Sequence, residues 1–283
     1  MDWDKAKTLT IVFLLVLDAV LAALNLQESN RYIMSAQQTN AIIALLDQNG
    51  IHLKTAMPKS YRPMRQLSMS GYEYDETELI HMFFADPENV EPSNQLDKTV
   101  YTGGDQTLTL QNGYITFDCP SGTNELVLTD DTALAEAKRF LAGKTEFSSF
   151  VPDFIFMDTD GCRVQFCQKY QNYIIDTNFI EFLITEKGIV QIDCTYCKAM
   201  GFTGQPAEIC AVDEAMLHFC QYYKDAYQDR PAEILQIDLV YYQKEGGAKS
   251  SGTFTAAPHY RIVVEGFERP FLINAYLNRI EQV

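Results

Sequence analysis

The chain has 283 residues, 38 of them acidic against 22 Lys and Arg, and carries a formal charge of −16 at neutral pH. That balance argues strongly against a nucleic-acid or anionic-lipid surface, because either needs clustered Lys and Arg. The 7 cysteines are an odd number, so at least one thiol stays unpaired if all bridges are internal, and the chain does not read as a disulfide scaffold.

From Leu9 to Leu26 the sequence runs LTIVFLLVLDAVLAALNL, about the length a helix needs to cross roughly 30 Å of hydrocarbon. We expect a transmembrane helix over residues 8–26. Lys5 and Lys7 precede it and the next basic residue is Arg31, so the positive-inside bias makes 1–7 a cytoplasmic tail and places the rest outside the cell, in contact with the bilayer only through this helix. A cleaved signal peptide is the rival reading: Ala22 and Ala23 are small enough for a peptidase, although Asp18 interrupts the apolar region. Asp18 lies near mid-span, where an ionised carboxylate costs about 2.5–3.5 kcal/mol. At helical spacing Asp18, Ala22 and Asn25 share a face, and Ala19 with Ala23 forms a small-xxx-small pair, which implies a partner helix. A protonated Asp18 in a marginal anchor is the plainer alternative.

About 255 residues follow, enough for two small domains or one elongated one. Residues 27–57 read as a linker containing a helix, AQQTNAIIALLDQ at 36–48, with Ile42, Leu45 and Leu46 on one face and Asn49-Gly50 as its stop. The region 58–128 opens with a Pro-containing loop at Pro58 and Pro63. It then gives an extended stretch at 65–70 and a helix from Asp75 to Phe84, ended by Pro87. The polar stretch 86–105, with Pro92 and Gly103-Gly104, reads as an excursion outside the core. Thr107 to Asp118 is a hairpin, because Asn112-Gly113 suits the positive φ angles of a type I′ turn.

The remainder reads as one plan used twice, at 129–205 and 206–283. A helix at 132–142 precedes strands near 153–157, 163–170, 178–185 and 189–192. A helix at 213–227, with Val212, Met216, Phe219 and Tyr223 facing inward, precedes strands near 234–243, 260–265 and 271–275. A helix on each antiparallel meander gives an α+β fold.

Motifs for chemistry are weak. Cys194-Thr-Tyr-Cys197 has the spacing of a redox pair or half a zinc site, but Cys210, His218 and Cys220 do not complete a ligand pattern and no helix follows. Asp158-Thr-Asp160-Gly161 opens like a calcium loop but lacks the later ligands, and a turn between strands explains it better. His52, His81, His218 and His259 are scattered, with no hydrolase, metalloprotease or phosphate-loop motif beside them. We therefore assign no catalytic, cofactor or metal residue. The candidate site is the helix face of Asp18, Ala19, Ala22, Ala23 and Asn25.

MDWDKAKT before the apolar run resembles the start of the YycI family, membrane-anchored regulators of the WalK (YycG) sensor histidine kinase in low-GC Gram-positive bacteria. Further similarities are Phe83-Phe84 at a helix end, the hairpin 107–117, Gln168-Lys-Tyr170 before Ile174-Ile175, the stretch Ile234 to Tyr242, and Ile273-Asn274-Ala275 near the end. Two departures affect packing and turn geometry. Pro258-His259-Tyr260 stands where the family has Pro-x-Trp, and the closing turn Tyr276 to Arg279 lacks the usual Gly. The resemblance implies a non-enzymatic regulator of cell-wall metabolism, associated with a YycH-like companion and the kinase, in part through the transmembrane helix. An exported module binding a cell-wall fragment and a tethered hydrolase are the other readings; the many tyrosines serve the former and no motif serves the latter.

Overall fold

The computed structural model describes residues 3–71, 75–120, 126–228, 230–243 and 252–281. In chain order it begins with α1 (Trp3–Arg31), α2 (Ala36–Gln48), β1 (Ile51–Leu53), β2 (Met64–Gly71) and α3 (Glu76–Phe83). Next come β3 (Glu91–Asn94), β4 (Lys98–Gly103), β5 (Gln106–Gln111), β6 (Tyr114–Asp118), α4 (Asp130–Leu141), β7 (Phe150–Met157) and β8 (Cys162–Tyr170). The chain continues through β9 (Tyr173–Thr185), β10 (Gly188–Thr195), β11 (Cys197–Ala207) and α5 (Val212–Tyr227). It closes with β12 (Ala232–Tyr242), β13 (Thr253–Val264), β14 (Phe271–Asn274) and β15 (Arg279–Glu281). The fold is α+β, as the sequence implies.

Contacts group the chain into two units. One comprises Met1–Met64, Ala207–Asp238 and Tyr260–Val283; the other comprises Arg65–Pro206 and Leu239–His259. These units interleave along the chain, whereas boundaries at 128/129 and 205/206 would follow it. The consecutive helix-then-meander stretches 129–205 and 206–283 stand as a proposal for the chain's plan, with α4 leading into β7–β11 and α5 into β12–β15.

In the second unit, strands run antiparallel in the order β7, β8, β9, β10, β6, β5, β4, β3. Alternation decides which face is dry. Ile180, Phe182 and Ile184 of β9 point the same way as Phe166 of β8 and Ile192 of β10, and all are buried with Leu79 and Phe83 of α3 and Ala133 and Ala137 of α4. Their neighbours point outward and are polar: the Thr116 hydroxyl donates to Asp193 at 3.0 Å and Arg163 donates to Glu181 at 3.1 Å. Helix α4 starts at a reciprocal Thr129–Thr132 cap and ends before Gly143, whose φ of 82° an L side chain would resist. The 107–118 hairpin turns on Asn112 and Gly113 at φ 52° and 78°.

The expected excursion at 86–105 is corrected by the structure. It holds β3 and β4, and Tyr101 is buried in the core. The misleading signal was polarity: β3 is an edge strand, exposed at every residue, where Pro92 costs no ladder hydrogen bond on the open side. Gly103-Gly104 forms the turn into β5.

A buried amide holds the corner between β10 and β11. Asn178 has no exposed surface; it donates to the Gln168 side chain and the Cys197 carbonyl at 2.6 Å each, and it accepts from the Cys197 N–H at 2.9 Å. His259 lies edge-on to Tyr242 with ring centroids 5.2 Å apart and donates from Nδ1 to the Ala257 carbonyl, while Tyr260, where the resemblance led us to expect Trp, is fully buried and donates its hydroxyl to the Cys210 carbonyl at 2.8 Å.

In the first unit, α2 packs on α5 and β1 pairs in parallel with β12 from Ile51↔Ala232 to Leu53↔Ile234. The inward face of α5 is Val212, Ala215, Met216, Phe219, Cys220 and Tyr223. Arg261, only 2% exposed, donates to Asp238 at 2.5 Å, and Gln236 donates to the same carboxylate at 2.7 Å. The closing turn keeps its geometry without glycine: Asn278 takes φ 47°, which Asn tolerates better than other L residues.

We expect Asn178→Ala to cost about 2–4 kcal/mol, because it leaves the Cys197 peptide unpaired in a dry interior. Denaturant unfolding followed by hydrogen exchange at β10 and β11 checks this. Asn278→Gly should leave thermal stability unchanged or slightly raised, since the native φ is one that glycine reaches without strain.

Candidate functional site

Within α1 the stretch Lys7–Asn25 is long and apolar enough to cross a membrane, and none of it is buried within the protein. Its 19 residues rise about 28 Å at 1.5 Å each, close to the hydrocarbon thickness. Asp18, Ala19, Ala22, Ala23 and Asn25 are all helical and exposed. Asp18, Ala22 and Asn25 stand one and two turns apart on a single stripe, while Ala19 and Ala23 lie on the adjoining one. Between Thr8 and Asn25 the only ionisable residue is Asp18.

The helix does not end with its apolar stretch. It continues to Arg31, which lies in its last turn, where a cation favours the carbonyl end of the helix dipole. A joint follows that the sequence reading missed. The Tyr61 hydroxyl donates to the Arg31 carbonyl at 3.0 Å, the Tyr61 N–H donates to the Tyr32 carbonyl at 3.0 Å, and the Met34 N–H donates to the Lys59 carbonyl at 2.8 Å. Tyr32 and Tyr61 meet edge-on, centroids 5.9 Å apart, and Met34 is buried. Arg31 and the Tyr32 hydroxyl both reach Glu208 at 3.4 Å; this exposed ion pair adds little to stability. Ser35 then caps α2 reciprocally with Gln38. The Ser-x-x-Gln spacing was a readable capping signal.

The remaining candidates separate. All seven cysteines are free, and Cys194 and Cys197 lie on successive strands, with no helix to lower a thiol pKa. Burial pushes Cys197 up to about 11 and Cys162, with Asp130 and Asp158 nearby, to about 11; it also drives wholly buried Cys194 upward, beside the Asp193 carboxylate. These thiols are poor nucleophiles. Asp158 makes a turn, accepting from the N–H groups of Asp160 and Gly161 at 2.7 and 3.1 Å. His52 pairs with Asp47 at 2.9 Å. Among the described residues no group of three or more His, Cys, Asp or Glu could hold a metal. A cavity lined by Asp75, Glu78, Leu79, Ile115, Glu146 and Tyr196 measures about 20 Å³, room for one water.

A family model described as YycI protein matches residues 29–276. Comparison with curated proteins returned no match. Among solved structures, an uncharacterized protein from Eubacterium rectale ATCC 33656 is similar over 82% of this chain and 90% of its own, with 10% identity and a TM-score of 0.50. The YpeB C-terminal domain of Bacillus megaterium covers 75% of this chain and 97% of its own, with 10% identity and a TM-score of 0.43. The first likeness is one of fold alone.

The thiol shifts carry a sign. With a folded pKa of about 11 against an ordinary 9.0, Cys197 keeps its proton where the unfolded chain loses it. Its stabilising contribution is complete below pH 9 and is lost progressively toward pH 11. We expect thermal stability to fall between pH 8 and pH 10.5, and less steeply in Cys197→Ser. At pH 8, iodoacetamide should leave Cys162, Cys194 and Cys197 unlabelled until the chain unfolds, as read by mass spectrometry.

Proposed function

The chain belongs to the YycI family, and on that premise we propose that it is a membrane-anchored, non-enzymatic regulator of a WalK/YycG-type sensor histidine kinase that controls cell-wall metabolism. The match across 29–276 carries the reading, because it spans nearly everything that follows the apolar helix. In this reading α1 crosses the cell membrane once, with Lys5 and Lys7 on the cytoplasmic side and the two units outside. The stripe of Asp18, Ala22 and Asn25, with Ala19 and Ala23 beside it, meets a helix of the kinase or of a YycH-like companion. A partner's polar group there offsets the cost of carrying Asp18 into hydrocarbon, and the alanines allow close approach.

Coupling needs no chemistry. A subunit that binds one kinase conformation more tightly shifts the kinase's population by that difference in affinity and by no more. The joint at 31–34 and 59–61 supports transmission, since it fixes the end of α1 to the first unit by backbone hydrogen bonds instead of a slack tether.

Affinity recovery of tagged full-length protein from its native membrane, with Asp18→Leu alongside, tests the contact. We expect the wild type to bring down the kinase or the companion, and the variant markedly less. Equal recovery would move the contact to the exported units. Deleting the gene should also alter transcription of the kinase's cell-wall regulon, and an unaltered profile would sink the regulatory reading.

A further inference from the structure

Although the chain is strongly acidic, no Asp or Glu occurs between Asp47 and Glu73, a stretch that contains Lys54, Lys59, Arg62 and Arg65. The structure places part of this stretch on the end of α1. Ile33 and Ser60 form an antiparallel bridge, flanked by the Met34–Lys59 and Tyr61–Tyr32 backbone hydrogen bonds. Lys59 and Arg62 are exposed, as is Arg31, whose guanidinium also lies 5.6 Å from the centre of the Tyr32 ring. Ile33 is 44% exposed beside them.

Depth follows from helix geometry. Arg31 lies six residues beyond Asn25, about 9 Å along the axis, and the headgroup layer outside the hydrocarbon is roughly 5–8 Å thick. The 59–62 loop, bonded to residues 31–34, therefore sits just outside that layer, where long Lys and Arg side chains can reach back to lipid phosphates. Tyrosines favour that depth, since the ring meets acyl chains while the hydroxyl stays wet, and long Lys and Arg side chains reach along it.

We propose that Arg31, Lys59 and Arg62, framed by Tyr32 and Tyr61, form a collar that binds the phosphate headgroups of anionic phospholipids in the leaflet where α1 emerges. The occupant is fixed by continuity: the surface begins where the membrane-crossing helix ends, so lipid is its neighbour at all times. The proposal rests on the anchor reading of α1. One carboxylate, Glu208, reaches Arg31 and the Tyr32 hydroxyl at 3.4 Å, so a lipid phosphate competes with it for Arg31 while Lys59 and Arg62 add positive charge beside it.

The test reconstitutes the full-length chain in nanodiscs of phosphatidylcholine alone and of an equal mixture with phosphatidylglycerol. Hydrogen exchange is then followed in peptides covering 31–36 and 57–64. Exchange there should slow about five-fold or more in the anionic discs, recover at high salt, and lose its lipid dependence in Lys59→Gln/Arg62→Gln, two exposed positions whose change leaves the backbone bonds intact. Equal exchange in both discs overturns the collar, as does equal slowing by soluble glycerol phosphate in phosphatidylcholine discs. Flotation with phosphatidylcholine vesicles separates the two readings: a chain that floats without lipid dependence loses the collar alone, and one that fails to float loses the anchor and the collar together.

Discussion

Hydrocarbon offers no partner to a peptide N–H or C=O, so a chain that crosses it once must do so as unbroken helix. The Lys7–Asn25 stretch of α1 is long, apolar and unbroken enough to meet that constraint. The helix runs without a break from Trp3 to Arg31, and from Ile11 to Leu24 every residue except Asp18 is apolar and exposed. Beyond the apolar stretch the constraint no longer applies, and after Arg31 the chain changes habit within four residues. The last carbonyls are taken by Tyr61, and Ser35 opens a new helix. The apolar helix is thus joined to folded structure by bonds of the kind that hold a turn.

The second unit meets a different solvent. Its long antiparallel sheet is covered by α3 and α4 on one face and is wet on the other, so its strands alternate in chemistry as regularly as they alternate in direction. Polar pairs such as Thr116–Asp193 and Arg163–Glu181 occupy the wet face. Asn178 is an exception on the dry side, tolerated because its polar atoms have partners, among them the buried Gln168.

Much of this was legible in the residues. The apolar stretch, the Asn112-Gly113 hairpin, the inward stripe of α5 and the turn at Asp158 each depend on local chemistry, which the sequence displays directly. What escaped was set by distant neighbours. Strands β3 and β4 look like loop because an edge strand can be polar and contain Pro without penalty. Strand β1 is three residues long and exists because β12 lies beside it in parallel. Nothing near Tyr61 announces that its hydroxyl will take the Arg31 carbonyl thirty residues away. The stripe through Asp18 could be read from periodicity, while the joint beyond it could not, since loop-to-helix hydrogen bonds leave no period in the sequence.

The interleaving of the two units has a consequence for synthesis. The unit that carries α1 needs Ala207–Asp238 and Tyr260–Val283 to complete its packing. As the chain emerges, α1 is made first, yet α2 and β1 have no α5 or β12 to pack against until most of the remaining residues have been made. Closing so long a loop is slow, because its entropy is spent before any contact repays it. During that interval the second unit holds most of its own chain, Arg65–Pro206, and can begin to fold alone. The earliest segment to be made is therefore among the last to acquire its native surroundings, and a ribosome that stalls after Pro206 leaves a chain whose α2 and β1 remain without their partners.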